Sequence, residues 1–249
     1  MEHARYMRLQ RASAWCGFIL FAGFLLAYSV GNILSPMDPT MDAQDAADFL
    51  IENQTRILAC VAIIVLTVPF EYPFVVVTSL QMRRIEGGWG LLSMTQVLTG
   101  VVAPIGFFFP LAILSAAAYR PEEHSPEVLL AMTDMFNLMY VGNACIFVLQ
   151  VWSIGYAALI DRREKPIFPK WFGWLNIVLG IVLIPGAFVY LNKTGPLAWN
   201  GLLAYMLPSA AYFIWKIATP VMLLRAVKHE EAETAEQAAG QEAARVASS

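Results

Sequence analysis

The amino-acid sequence predicts an all-α membrane protein, a polytopic bundle of six transmembrane helices with both termini in the cytoplasm. Three observations lead to this fold class. Of the 249 residues, 58% are hydrophobic and only 14% are charged, whereas soluble proteins contain about a quarter charged residues. Six nearly uncharged runs exceed the roughly 20 residues that cross a bilayer. Finally, Lys and Arg are distributed unequally between alternate loops, as the positive-inside rule requires of membrane proteins.

The six apolar runs define the predicted helices: 12–37, 57–82, 87–119, 128–160, 171–192 and 194–224. Only Glu71, Asp134 and Lys216 interrupt them. The first run is longer than the 7–15 apolar residues of a signal-peptide core, so we expect a retained helix. Short loops leave no room for a second folded unit. We therefore assign 1–226 to one transmembrane domain and 227–249 to a polar, Ala/Glu-rich tail that is frayed or disordered.

Basic residues set the predicted orientation, because Lys and Arg in short loops resist translocation. Three fall on one side of the six runs: Arg56, Arg120 and Lys193. Twelve fall on the other: Arg5, Arg8, Arg11, Arg83, Arg84, Arg162, Arg163, Lys165, Lys170, Arg225, Lys228 and Arg245. The side with twelve is predicted to be cytoplasmic, with the opposite loops outside.

Four of the helices carry a polar side chain at similar predicted depth. Counted from the charged residue that bounds each run, Glu71, Gln96, Gln150 and Lys216 lie about 13–18 Å from the inner boundary, near the midplane of a core about 30 Å thick. Ionised groups are costly at this depth, so we expect Glu71 and Lys216 to form one buried pair facing the bundle interior. Both glutamines should lie in the same layer.

This midplane layer allows two interpretations. The pair fixes helix register, or it belongs to an ion relay or the polar end of a ligand cavity. Pro69 and Pro73 bracket Glu71 and its neighbour Tyr72, and each proline frees a carbonyl one turn back. Broken helices line the binding sites of many transporters, which favours a functional role. Glu71, Tyr72, Gln96, Gln150 and Lys216 are therefore candidates for a ligand or ion path.

The outer side offers two weaker candidates, and both sides carry predicted membrane anchors. Asp134 and Asn137 lie near the outer headgroup level, where they line a vestibule or, as we favour, Asp134 is a solvated aspartate at a helix end. The acidic segment 40–53 predicts a short surface helix capped by Thr40. Its charges indicate a solvated face rather than a cation site. Aromatic residues near the ends of the runs are expected to anchor the protein at the headgroups: Trp89, Tyr119, Trp171, Trp174 and Trp199.

Several classes of function are excluded by missing residues. The three histidines lie in tails or loops, so paired helix histidines for haem and multi-histidine metal sites are absent from the sequence. Cys16, Cys60 and Cys145 have no CxxC spacing and are expected to be packing residues. There is no P-loop, dinucleotide fingerprint or GxSxG motif, and no basic groove for nucleic acid. We predict no metal site, no cofactor and no nucleic-acid partner.

Three loop segments resemble those of a known group. They are the segments 81–87 (QMRRIEG), 118–121 (AYRP) and 193–201 (KTGPLAWNG). With the acidic outer loop, they are similar to uncharacterised bacterial six-helix membrane proteins, which form families of unknown function. The resemblance implies the same topology and a bacterial inner membrane. It implies no activity, cofactor or site residue.

We favour a non-enzymatic protein that binds or passes a small molecule or ion through the midplane layer, alone or as the membrane subunit of a larger assembly. One alternative is a metal-free membrane enzyme acting on a lipid-soluble substrate, with Glu71 as acid/base and Lys216 tuning its pKa. Another is a structural or assembly partner of a second membrane protein. The expected partners are the lipid bilayer, a hydrophobic small molecule, and a second copy or other membrane protein. The expected location is the inner membrane.

Overall fold

A computed structural model describes residues 2–31 and 36–247. Residues 32–35 of the predicted first span and 248–249 of the predicted tail lie outside these ranges. The helices are α1 (Glu2–Gly31), α2 (Ala43–Thr67), α3 (Glu71–Glu86), α4 (Leu91–Tyr119), α5 (Pro126–Gly142), α6 (Val148–Ile160), α7 (Lys170–Leu183) and α8 (Leu207–Ala247). Within the described ranges six helical stretches are long and apolar enough to cross a membrane: 4–31, 43–86, 91–119, 126–160, 170–190 and 202–246. The predicted six-helix bundle is confirmed.

Four of the six stretches contain a short non-α segment, and two of these segments contain a proline. The second stretch joins α2 to α3 through the 3₁₀ turn Val68–Phe70, and the fifth ends in Ile184–Tyr190. The fourth joins α5 to α6 through Asn143–Phe147, and the sixth begins with the π-helical turn Leu202–Met206. Proline lacks an amide hydrogen and clashes with the preceding turn, which explains the breaks at Pro69 and Pro185. A further 3₁₀ turn, Pro121–Glu123, precedes α5.

The acidic segment 40–53 differs from the prediction. The helix begins at Ala43, and its N-cap is Asp42, whose side chain accepts from the Asp45 amide at 2.9 Å. Thr40 instead lies in a turn, where its amide and hydroxyl donate to the Asp38 carboxylate at 2.8 and 2.7 Å. The helix then continues into the membrane rather than lying on its surface, because the polar first turns lead directly into an apolar run.

The first turns of α1 and the second half of α8 meet at one face of the bundle, here called the terminal face. Gln10 in α1 donates to Glu230 in α8 at 3.3 Å, and Arg11 forms an ion pair with Glu231. Helix α8 runs without a break through residue 226, where we placed the domain boundary, to Ala247. The first turns of the expected frayed tail are therefore helical and contact α1.

Close packing around Gly17 joins three helices near the midplane. A Cβ atom on Gly17 would lie 2.6 Å from Pro220 in α8 and 2.8 Å from the Phe74 ring in α3. Gly23 is equally tight, since a Cβ there would lie 2.4 Å from Thr67. Small residues of α1 therefore permit close helix contacts at both positions.

Trp199 does not anchor the protein at the membrane interface. Its side chain is only 6% exposed, and its indole nitrogen donates to the Met37 carbonyl at 2.7 Å. It therefore ties the segment before α8 to the segment after α1. Trp89, Trp171, Trp174 and Tyr119 are all more than half exposed, as an interfacial anchor requires.

Candidate functional site

The predicted pair of midplane charges is present. The Lys216 ammonium in α8 donates to Oε2 of Glu71, the first residue of α3. The two residues are 1% and 4% exposed, so the pair is shielded from both lipid and water. Glu71 lies directly after the 3₁₀ turn that contains Pro69, which explains how an interrupted helix presents a carboxylate to the bundle interior. The expectation of one buried, interacting pair is confirmed.

Three aromatic rings surround the lysine. Its Nζ lies 4.8 Å from the centre of Phe74, 5.4 Å from Tyr212 and 4.7 Å from Trp215. Ring faces attract a cation, and more strongly when water is excluded. The indole nitrogen of Trp215 also donates to the Asn176 side chain in α7 at 3.0 Å, which fixes its ring. The rings and the carboxylate together stabilise the buried ammonium group.

Gln96 is not at the depth of the ion pair. Its Oε1 accepts from the Ser79 hydroxyl, and Ser79 is eight residues, about 12 Å, beyond Glu71 along α3. Counting from Glu86 placed Gln96 too deep, because α4 begins only at Leu91 after a loop that adds no depth. The expected common layer is wrong for this residue.

Gln150 lies between these two levels. A Cβ on Gly100 would lie 2.6 Å from Val75, one turn beyond Glu71, and 2.9 Å from Nε2 of Gln150. The residue is fully buried, and neither its Nε2 nor its Oε1 has a hydrogen-bond partner in the described part of the chain. The polar residues therefore descend from the ion pair toward the terminal face in steps, rather than forming one layer.

A cavity of about 340 Å³ occupies the opposite half of the bundle from the terminal face. The irregular segments of the fourth and sixth stretches line it, together with Leu183 at the end of α7. Seven aromatic side chains line it: Tyr28, Phe107, Tyr140, Phe147, Tyr205, Tyr212 and Phe213. Phe107, Phe147 and Tyr212 contact one another with ring centres 5.7–5.9 Å apart. Tyr212 also contacts Lys216, so one residue of the cavity wall connects the cavity to the ion pair.

The remaining candidates lie apart from the ion pair. Asn137 is buried, donates to the Thr133 carbonyl at 2.9 Å and lines a small space beside the cavity. Asp134 is partly exposed, and its carboxylate interacts electrostatically with Lys193. Tyr72 faces away from the bundle interior, and its side chain lines a groove on the lipid-facing surface. Only Glu71 and Lys216 therefore form the predicted constellation.

Sequence reasoning missed the aromatic residues that form the cavity. Phe107, Tyr140, Phe147 and Tyr212 lie in four separate segments, and aromatic residues are equally common in ordinary helix packing. The only local signal is the position of Tyr212, four residues before Lys216 and so on the same helix face.

Comparisons with protein-family models, curated proteins and solved structures find no match for this chain. The geometry of the site is therefore the basis for a functional proposal.

Proposed function

We propose that this integral membrane protein binds an apolar small molecule that contains a ring, and that the aromatic cavity is its site. The volume of about 340 Å³ falls in the range of small-molecule pockets. Aromatic walls favour flat, ring-containing molecules, because rings pack against one another with offset or edge contacts. Membrane solubility of the ligand follows from the position of the site within the bundle.

The single observation that carries this proposal is the contact of the cavity with the buried charge pair through Tyr212. Tyr212 lines the cavity and its ring centre lies 5.4 Å from Nζ of Lys216. Ligand pockets combine mostly apolar walls with a few polar groups that fix orientation. Tyr205 and Ser209, which hydrogen-bond to each other, supply further hydroxyl groups on the cavity wall.

Acid–base catalysis by Glu71 is less well supported. One carboxylate oxygen of Glu71 is engaged by Lys216, and neither Glu71 nor Lys216 lines the cavity. A general base must come within hydrogen-bond reach of the proton that it removes. The role of an assembly partner has no specific observation in its favour. Ligand binding in the cavity requires no movement of the ion pair, whereas catalysis would require Glu71 to leave Lys216 and reach a substrate.

Native mass spectrometry of the purified protein tests the proposal. Wild-type protein is expected to carry an apolar compound at about one molecule per chain. Ala210→Trp, at an exposed position that lines the cavity, should remove this mass. Val178→Trp on the lipid-facing side of α7 is the matched control and should retain it. Wild-type protein without a bound compound, together with no thermal shift by any ring-containing apolar compound, would contradict the proposal.

We further propose that the terminal face is cytoplasmic and that the protein resides in a bacterial inner membrane. The support is the distribution of Lys and Arg, with twelve on the side of the terminal face and three on the opposite side. Single cysteines at Arg162 and Arg120, in a background without Cys16, Cys60 and Cys145, test the orientation in whole cells. An impermeant thiol reagent should label the position of Arg120 only. Strong labelling at the position of Arg162 would reverse the orientation.

A further inference from the structure

A second apolar space, separate from the aromatic cavity, lies on the surface that faces lipid. This lateral groove has a volume of about 390 Å³ and is formed between the end of α2, the start of α3 and the middle of α4. Pro69 and Pro104 lie on its two sides, where each proline interrupts regular helix packing. Its rim includes Val65, Tyr72 and Phe108, which are all exposed.

Tyr72 brings a polar hydroxyl group to the groove, and lipid hydrocarbon cannot form a hydrogen bond with it. Its side chain is 44% exposed, and no residue in the described ranges forms a hydrogen bond with its hydroxyl. Tyr72 precedes Arg83 by 11 residues along α3, which places it about 16 Å from that basic residue and near the midplane of a core about 30 Å thick. A tyrosine side chain is too short to reach the headgroups from there.

The depth of this hydroxyl restricts what can satisfy it. Lipid chains carry no hydrogen-bonding groups in the bilayer core, and an unsatisfied hydroxyl there costs several kcal/mol. The ester and headgroup oxygens of phospholipids lie at the interface, too far away to accept from Tyr72. Only a molecule that brings an acceptor oxygen to the midplane can do so.

The walls of the groove indicate the shape of that molecule. Phe108 and Phe109 are both more than half exposed, and their ring centres lie 6.0 Å apart, approximately perpendicular to each other. With the Tyr72 ring they offer flat surfaces to a planar conjugated system. The remaining lining is aliphatic, including Val65 and Ile105, and suits an attached hydrocarbon chain.

We propose that the lateral groove binds a membrane-soluble molecule with a conjugated ring and a carbonyl group, the chemistry of a quinone, and that the Tyr72 hydroxyl donates to the carbonyl oxygen. This site is reached from the lipid. It is independent of the aromatic cavity and of the ligand proposed to lie there, since none of its lining residues lines the cavity.

Photolabelling with a benzophenone that carries a decyl chain tests the groove in reconstituted bilayers. On irradiation its ketone removes a hydrogen atom from a nearby C–H bond, and the two carbon radicals join. Wild-type protein should be labelled mainly on α4 near Ile105 and Phe108. A fully substituted 1,4-benzoquinone with a decyl chain should compete. Tyr72→Phe removes only the hydroxyl and should lower labelling about threefold to tenfold, as expected for the loss of one hydrogen bond.

Two matched controls separate the groove from other surfaces. Tyr156→Phe removes the hydroxyl of a tyrosine in α6 that is 55% exposed and should leave labelling unchanged. Val65→Trp should block the groove, whereas Ala210→Trp, which blocks the aromatic cavity, should have no effect. Equal labelling of wild type and Tyr72→Phe, or labelling spread over all lipid-facing helices, would overturn the proposal. So would a dimer that Val65→Trp dissociates, because a second copy would then occupy the groove.

Discussion

Helices α3 and α8 are joined by polar contacts at two levels that differ in burial. At the midplane, Glu71 and Lys216 form an ion pair with almost no exposure. At the terminal face, Arg84 donates to Glu233 at 2.6 Å and to Gln81 at 2.5 Å, and Gln81 donates to Glu230 at 2.7 Å. The Arg84 side chain is 17% exposed and that of Glu233 is 38% exposed. One level is enclosed, and the other borders water.

This difference in burial indicates different roles for the same kinds of side chain. An ion pair at the water boundary exchanges its partner for water at small cost, so it contributes little to stability. A buried pair cannot do this, and each charge depends on the other. Because a buried pair is also weak evidence for stability, its presence beside a ligand-sized cavity is consistent with a role in binding. The terminal-face network instead closes one end of the bundle by exchangeable contacts among α1, α3 and α8.

The largest expected effect is at the midplane. Glu71→Gln or Lys216→Met alone should lower the free energy of unfolding by about 3–5 kcal/mol, because each strands an unpaired charge in a site without water. The double variant should be close to neutral. Unfolding in a denaturing detergent measures all three. Single and double variants of equal stability would show that the charges do not depend on each other. A folded double variant that has lost its ligand would assign the pair to binding.

An intermediate effect is expected at the terminal face. Arg84→Gln removes the ion pairs of Arg84 with Glu230 at 3.7 Å and with Glu233 at 2.6 Å. It should cost about 1–2 kcal/mol of stability, less at high salt because these ion pairs are screened. Arg120→Gln is the matched control, since its pair with Glu123 is more than 60% exposed on both sides. It should change stability by less than about 0.5 kcal/mol. An effect of Arg84→Gln that is independent of salt would indicate lost packing rather than lost charge.

The smallest effect concerns the loop between α1 and α2, where charge is fully hydrated. The hydroxyl and amide of Thr40 donate to Asp38 and lower the pKa of its carboxyl below the ordinary 3.8. A pKa that is lower in the folded state adds stability above the unfolded pKa, and this contribution is lost as the pH falls through the folded pKa. Thr40→Ala should raise the pKa of Asp38 toward 3.8 in an NMR titration. An unchanged value would mean that the amide alone holds the carboxylate.

The sequence by itself determined the number of spans, their approximate limits and the pairing of Glu71 with Lys216. Long apolar runs can only be solvated by lipid, and an ionised side chain in such a run must find a partner inside the bundle. These conclusions depend on the polarity of single residues and their depth along one helix, which the chain order gives directly. The same counting failed for Gln96, because the residue from which α4 starts is set by the loop and not by the nearest charge.

Only the tertiary structure decided where the cavity lies and which side chains surround it. Four of its rings, those of Phe107, Tyr140, Phe147 and Tyr212, come from different segments, and their meeting depends on the rotation of each helix about its axis. Helix rotation in a membrane is set by packing against neighbours rather than by polarity, because the lipid and the bundle interior are both apolar. For the same reason the exposure of Tyr72 and the burial of Trp199 could not be predicted, although both residues are visible in the sequence.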